Sequence, residues 1–193
     1  MNLPTLANPF FMVLLAIAIF GMAPHAWSDD KACKAIVDSL ESEVGKFRLL
    51  QTTDHGSGAG SSATFAYTAG PRADVTVFIY DRNREALTDE YLEAEFNHSH
   101  KQVVADFTGK NDFTVVSAGK PATQTDTFTF ESIYAMTLSN GIKLNNATLL
   151  SRHGGKFLKI AVAAKPETFP ELRPHLKELE KHFVQRITPN PSR

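Results

Sequence analysis

The run Val75-Thr76-Val77-Phe78-Ile79-Tyr80 is apolar on both of its faces. A strand of this kind is expected near the middle of a sheet, covered on both sides. Gly70-Pro71 punctuates the chain before it, and the charged turn Asp81-Arg82-Asn83-Arg84-Glu85 follows and is expected to neutralise itself. Upstream, Thr64-Phe65-Ala66-Tyr67 alternates as a neighbouring strand, Phe47 to Gln51 reads as a short strand, and His55 to Ser62 (HGSGAGSS) reads as a flexible loop. The spacing of Cys33, Ile36, Val37, Leu40 and Val44 predicts a first helix with Cys33 on its apolar face.

Downstream, Thr88 to Phe107 predicts a long helix. Thr88 is its N-cap, Asp89 and Glu90 lie in the first turn, and Leu92, Phe96, Val103 and Phe107 form an apolar stripe. Strands are predicted at Phe113 to Val116, Phe128 to Leu138, Ile142 to Ser151 and Phe157 to Ala163. Asn140-Gly141 suits a two-residue type I′ hairpin and Gly154-Gly155 a second tight turn. A last helix carries Leu172, Leu176, Leu179 and Phe183, with Thr168 and Glu171 as a candidate capping box. The expected fold class is α+β: an antiparallel sheet of six to seven strands, the long helix on one face, and one or both terminal helices on the other. Phe65, Phe78, Phe96, Phe107, Phe128, Phe130, Phe157 and Phe183 are the expected core aromatics.

The element order resembles the PsbP-like α/β sandwich, and more specifically an uncharacterised family of exported bacterial proteins. The likeness is carried by Ala66-Tyr67 with Gly70, by Val75 to Asp81, and by Gly154-Gly155-Lys156-Phe157-Leu158-Lys159-Ile160. It implies periplasmic accessory or binding roles. None of these motifs is catalytic, so the resemblance carries over no site residue.

Phe10 to Ala23 (FFMVLLAIAIFGMA) is too short for a bilayer span of about 20 residues and fits a signal-peptide core. Pro24 breaks it, and Ala26-Trp27-Ser28 supplies a small-residue cleavage site. The expected layout is 1–28 as signal peptide, 29–187 as one domain and 188–193 as a disordered tail, in a periplasmic or secreted protein cleaved near Ser28. Cleavage after Ala26 and an uncleaved anchor stay open as alternatives, the latter because residues 1–9 contain no Lys or Arg.

The chain has 193 residues, with 20 Lys+Arg against 21 Asp+Glu and a formal net charge of −1. That balance gives no general electrostatic reason to bind nucleic acid. A single cysteine cannot form an internal disulfide or a cysteine-rich zinc site. The Gly56-Ser57-Gly58-Ala59-Gly60 run lacks the lysine and following helix of a phosphate loop. Glu95 and His98 share a helix face at a metal-site spacing, and Glu178 with His182 is a usable partner pair. Solvated faces explain both more simply, so no metal and no cofactor is expected.

Arg152-His153-Gly154-Gly155-Lys156 forms a basic tip suited to an anionic surface. The candidate ligand or partner contacts are Arg152, His153, Lys156 and His55. The leading expectation is an exported, non-enzymatic binding or accessory module for an unknown protein or small molecule. The alternatives are a lipid or apolar-ligand carrier and a hydrolase using His55 or His153 with a carboxylate contributed from elsewhere.

Overall fold

The structure is a computed structural model that describes residues 30–84, 86–108, 112–120 and 128–188. The signal peptide, its cleavage site and the tail from 189 onward lie outside the described residues. Chain order is α1 (Asp30–Asp38), β1 (Glu43–Val44), β2 (Phe47–Gly56), β3 (Gly60–Tyr67), β4 (Ala73–Tyr80), α2 (Asp89–Phe107), β5 (Asp112–Gly119), β6 (Phe130–Thr137), β7 (Lys143–His153), β8 (Lys156–Ala164) and α3 (Phe169–Ile187).

The strands form one antiparallel sheet in the order β1-β2-β3-β4-β8-β7-β6-β5. It has eight strands, which corrects the expected six to seven. The added strand is Glu43–Val44, joined to β2 through Gly45 at φ +57°. Two residues are too few for a period-two pattern to register. Both halves of the chain are meanders, and within the sheet they join where β4 pairs with β8 from Ala73↔Ala164 to Tyr80↔Phe157. All eight residues of β4 are buried, as its two-faced apolar sequence requires.

Even-numbered and odd-numbered β4 residues go to opposite faces. Val75, Val77 and Ile79 join Phe65, Leu158, Ile160 and Val162 under α1 and α3. Cys33 packs in that same core at 2% exposure. Phe78 and Tyr80 join Leu92, Phe96, Phe130 and Phe157 on the α2 side, and Val103 and Phe107 extend that layer over Tyr134, Met136 and Leu144. All eight expected core phenylalanines are buried.

Several local expectations are corrected. The first helix stops at Asp38, although Leu40 and Val44 still pack in its core. The expected loop at 55–62 is mostly strand, because β2 and β3 close through a tight turn at Ser57–Ala59. At Asn140-Gly141 only Gly141 has positive φ, and the amide of Gly141 donates to the Leu138 carbonyl at 2.8 Å. This is the three-residue hairpin that ends on a left-handed glycine, not type I′. Thr88 caps α2 as expected, accepting from the Tyr91 amide at 3.3 Å. Thr168 does not cap α3: its backbone is already helical at φ −81°, ψ −28°, and its hydroxyl makes no capping bond.

Gly60 tests the β3–β4 fit. It has φ +70°, and a Cβ there would lie 1.9 Å from the Ile79 carbonyl oxygen. Gly56, at φ +81°, has open space around it. Gly56→Ala is expected to cost about 1–2 kcal/mol from the left-handed backbone alone. Gly60→Ala adds a backbone clash and must cost clearly more. Urea denaturation of the two variants measures the difference, and equal losses would contradict this packing.

Candidate binding site on the α2 side of the sheet

The two sheet faces differ in chemistry. Under α1 and α3 the strands present mainly Val, Ile, Leu, Phe and Ala, with Ser61, Ser151 and Glu131 buried among them. On the α2 side the register places three successive cross-strand rows. The first holds Ser62, Phe78, Lys159, Leu150 and Phe130, and the second Thr64, Thr76, Ala161, Thr148 and Ser132. The third holds Ala66, Asp74, Ala163, Asn146 and Tyr134. Two of these rows are therefore small or polar although they lie deep in the molecule. α2 packs on β7, β6 and β5, beside the β3–β4 part of this face.

A column of near-parallel rings forms the wall at α2. Phe130 stacks on Phe96 (5.0 Å), Phe96 on His100 (6.2 Å), His100 on Tyr134 (5.7 Å) and Tyr134 on Phe113 (5.5 Å). The Tyr134 hydroxyl donates to Ser132 Oγ at 2.8 Å and meets His100 Nδ1 at 2.9 Å. Burial pushes the phenol up to about 12, so it stays protonated.

Asp74 and Asn146 stand on either side of Ala163 in the third row. Two strand spacings put their backbones about 10 Å apart. Asp74 is 1% exposed and Asn146 3%. Neither Asp74 carboxylate oxygen and not the Asn146 Oδ1 has a hydrogen-bond partner. The Arg72 Nε approaches Asp74 Oδ1 at 3.6 Å, beyond hydrogen-bond reach. Burial raises the Asp74 carboxyl above the ordinary aspartate value, and Arg72 opposes this only in part. The other buried acids described are all satisfied. Glu131 meets Arg173 at 2.6 Å, Asp81 meets Lys156 at 2.7 Å, Glu95 meets Arg82 at 2.8 Å and Glu180 meets Ser151 at 2.8 Å.

The hairpin end of the same face is cationic. Glu95 accepts from Tyr80 Oη at 2.9 Å and from Arg82 at 2.8 and 3.2 Å. Burial alone would raise the Glu95 carboxyl, but the hydrogen bonds and charge of Arg82 hold it below its usual value. Lys159 Nζ lies over the Phe78 ring at 4.9 Å and the Tyr80 ring at 5.5 Å. Burial brings its ammonium down to about 8, with Glu95 opposing and Arg82 adding to the effect. His55 stacks on Phe78 at 6.1 Å and meets Ser62 Oγ at 2.9 Å. Burial lowers its pKa, which favours the neutral ring at pH 7.

The four residues singled out in the sequence separate into three settings. His55 joins the α2-side cluster. Arg152 is tied to the Leu87 carbonyl and to Asp89 (3.1 Å), and Lys156 to Asp81, so both hairpin cations are already engaged. His153 lies toward α3, with Nε2 at 3.0 Å from Ser151 Oγ and 3.5 Å from Glu180 Oε1. Among the described residues of the charged turn, the charges reach outward: Asp81 pairs with Lys156, Arg82 with Glu95, and Arg84 lies over the Tyr91 ring at 3.9 Å. Glu85 lies outside the described residues.

Glu95 serves Arg82 and not a metal pair with His98, while Glu178 meets His175 at 3.3 Å and not His182. Among the described residues no group of three His, Cys, Asp or Glu is placed to hold a metal ion, and no helix is long and apolar enough to cross a membrane. Asp74 and Asn146 escaped sequence reasoning because both sit inside strand patterns where a lone polar residue reads as an exposed position. The signal was there in one respect: an aspartate immediately precedes the two-faced apolar run. No family model and no curated protein matches the chain, so the PsbP-like resemblance remains an expectation of the sequence.

Two acids should respond to pH in opposite senses. The Glu95 carboxyl is depressed in the fold, so its stabilisation is present above the unfolded carboxyl value and is lost as pH falls through the folded one. The Asp74 carboxyl is raised, so stability falls as pH rises from the unfolded value through the folded one. Glu95→Gln is expected to lose roughly 1.5–3 kcal/mol at pH 7, the range for charged hydrogen bonds, and less at acidic pH. Asp74→Asn is expected to melt above the wild type at pH 7, with the advantage gone at and below about pH 4. Melting curves from pH 3 to pH 8 check both signs.

Proposed function

We propose that the protein is an exported, non-enzymatic binding module, and that it takes a small polar ligand rich in hydrogen-bond donors on the α2 side of its sheet. One observation carries the reading: the buried oxygens of Asp74 and Asn146 are left without hydrogen bonds in the same cross-strand row. Leaving a buried polar group unpaired costs about 1–3 kcal/mol, and more for a charge. A ligand that brings N–H or O–H groups to these oxygens recovers that cost. The hydroxyls of Thr64, Thr76, Thr148 and Ser132 share the face and suit a polar ligand better than an acyl chain.

Binding, as opposed to turnover, is supported by the histidines. A serine nucleophile needs its proton taken by a histidine that a carboxylate orients through the other ring nitrogen. Ser151 instead donates to Glu180, and His153 presents one nitrogen, Nε2, to both. His55 meets Ser62, but the neighbouring Asp54 carboxylate accepts from the Gly56 amide at 3.0 Å. Export is supported by the leader pattern at 10–28.

Native mass spectrometry of gently purified protein tests the binding reading. A bound polar small molecule is expected on the wild type and is expected to be lost in Asp74→Asn. An adduct retained in full by Asp74→Asn would overturn the site, and a co-purified lipid would overturn the polar class. Sequencing the N-terminus of the exported protein is expected to start at Asp29, or at Trp27 if cleavage follows Ala26. A retained Met1 would assign an anchor in place of a cleaved leader.

A further inference from the structure

The sheet ends differently at its two edges. β1 is two residues long, and β2 beside it carries Arg48, Asp54 and His55. β5 forms the other edge over eight residues, Asp112–Gly119, and among the described residues no strand pairs with its outer side. The free N–H and C=O groups along such an edge are a template for another strand. Natural edges are commonly blunted by lysine, by proline or by a very short strand. Within β5 the one charge is Asp112 at its start, there is no proline, and every residue is exposed or half-buried.

The middle of this edge is apolar. Val115 is 40% exposed and Val116 59%, the latter the most exposed large apolar side chain described. Val115 pairs with Tyr134 and Ser117 with Ile133, so Val116 is the extra residue of a bulge. A bulge adds twist to an edge, and a lysine at its crest would complete the protection. This crest carries valine instead. Val115 shares the α2 side of the sheet with its partner Tyr134, and its exposure shows that α2 leaves the middle of β5 open. The strand is also self-complementary about Val116. Lys120 follows Gly119 and is exposed, as Asp112 is, and the two lie four residues to either side of Val116.

We propose that two copies of the chain associate edge to edge through β5, antiparallel about a two-fold axis at Val116, so that their sheets become continuous. A two-fold interface needs a patch that complements itself. In this register Asp112 of each copy stands opposite Lys120 of the other, Phe113 opposite Gly119, Thr114 opposite Ala118 and Val115 opposite Ser117. The two Val116 side chains meet on the axis. Opposite charges set across from each other stabilise a strand pair, and here they fix its direction as well. Parallel pairing in register would place Asp112 against Asp112. One strand pair buries less than the roughly 1,200 Å² of a standard interface, so the dimer is weak and reversible. It does not depend on a ligand on the α2 side.

Sedimentation equilibrium of the purified protein, from about 10 µM to about 1 mM, tests the proposal. The wild type is expected to pass from monomer to dimer across that range. Val116→Lys sets two like charges on the axis and is expected to weaken the association about tenfold. Asp112→Lys turns two attractive pairs into repulsive ones and is expected to cost a similar factor, about tenfold. Adding Lys120→Asp to Asp112→Lys restores both pairs with their signs exchanged, and the dimer is expected to return to within about threefold of the wild type. A purely structural role for Asp112 would not be rescued in this way. A wild type that stays monomeric throughout overturns the proposal. So does a dimer unchanged by Val116→Lys, which must use another surface, and so does a double variant no tighter than Asp112→Lys alone. The wild-type measurement decides even if a variant fails to fold.

Discussion

The eight consecutive pairings between β4 and β8 are the constraint on which the rest depends. Residues 73–80 and 157–164 are far apart in the chain, and each belongs to its own meander. Each meander has local contacts only, so the domain closes when these two strands find each other. Both strands are then flanked on both edges and buried on both faces. A strand in that position needs cover above and below, which is why the chain supplies helices to each side. α2, the link between the meanders, covers one side, and the terminal helices α1 and α3 cover the other.

The two covers have different consequences. The α1–α3 side is filled by branched and aromatic side chains that interlock, with Phe65 edge-on to Phe183 and Phe47 edge-on to Phe65. The α2 side concentrates its aromatics in one stacked column and leaves alanine, threonine and serine beside it. Small side chains in the centre of a sheet withhold packing area that the fold could have used, at about 25 cal/mol per Å². The first side secures the domain, and stability given up on the second is affordable only because of it.

Much of this was legible in the sequence. The two-faced apolar run at 75–80, the Thr88 cap, the helical stripes and the buried phenylalanines all follow from periodicity and local chemistry. The misses were of another kind. A strand of two residues carries no period. The Gly141 turn looked like type I′ because Asn-Gly serves both hairpin types, and only the backbone of Asn140 distinguishes them. Asp81 to Glu85 looked self-neutral because local sequence cannot show that Lys156 and Glu95 arrive from elsewhere. Candidate site residues suffered most, since His55 was visible as a residue type while Asp74 and Asn146 acquire meaning only through register across β8.

Asp74 is where local rules fail together. Aspartate is among the residues depleted in strands, yet it occupies the most buried strand of the sheet. Its cross-strand neighbours are Ala66 and Ala163, so pairing offers it no cation. Arg72 lies two positions away and still stops at 3.6 Å, while other buried acids of this fold draw their partners to 2.6–2.8 Å. Any β-branched side chain would satisfy propensity, burial and pairing at once. Arg72 offsets this burial only in part, and a position that breaks local rules in this way is a candidate for function. The basic hairpin tip, whose arginine and lysine are already paired, holds the end of that face in place.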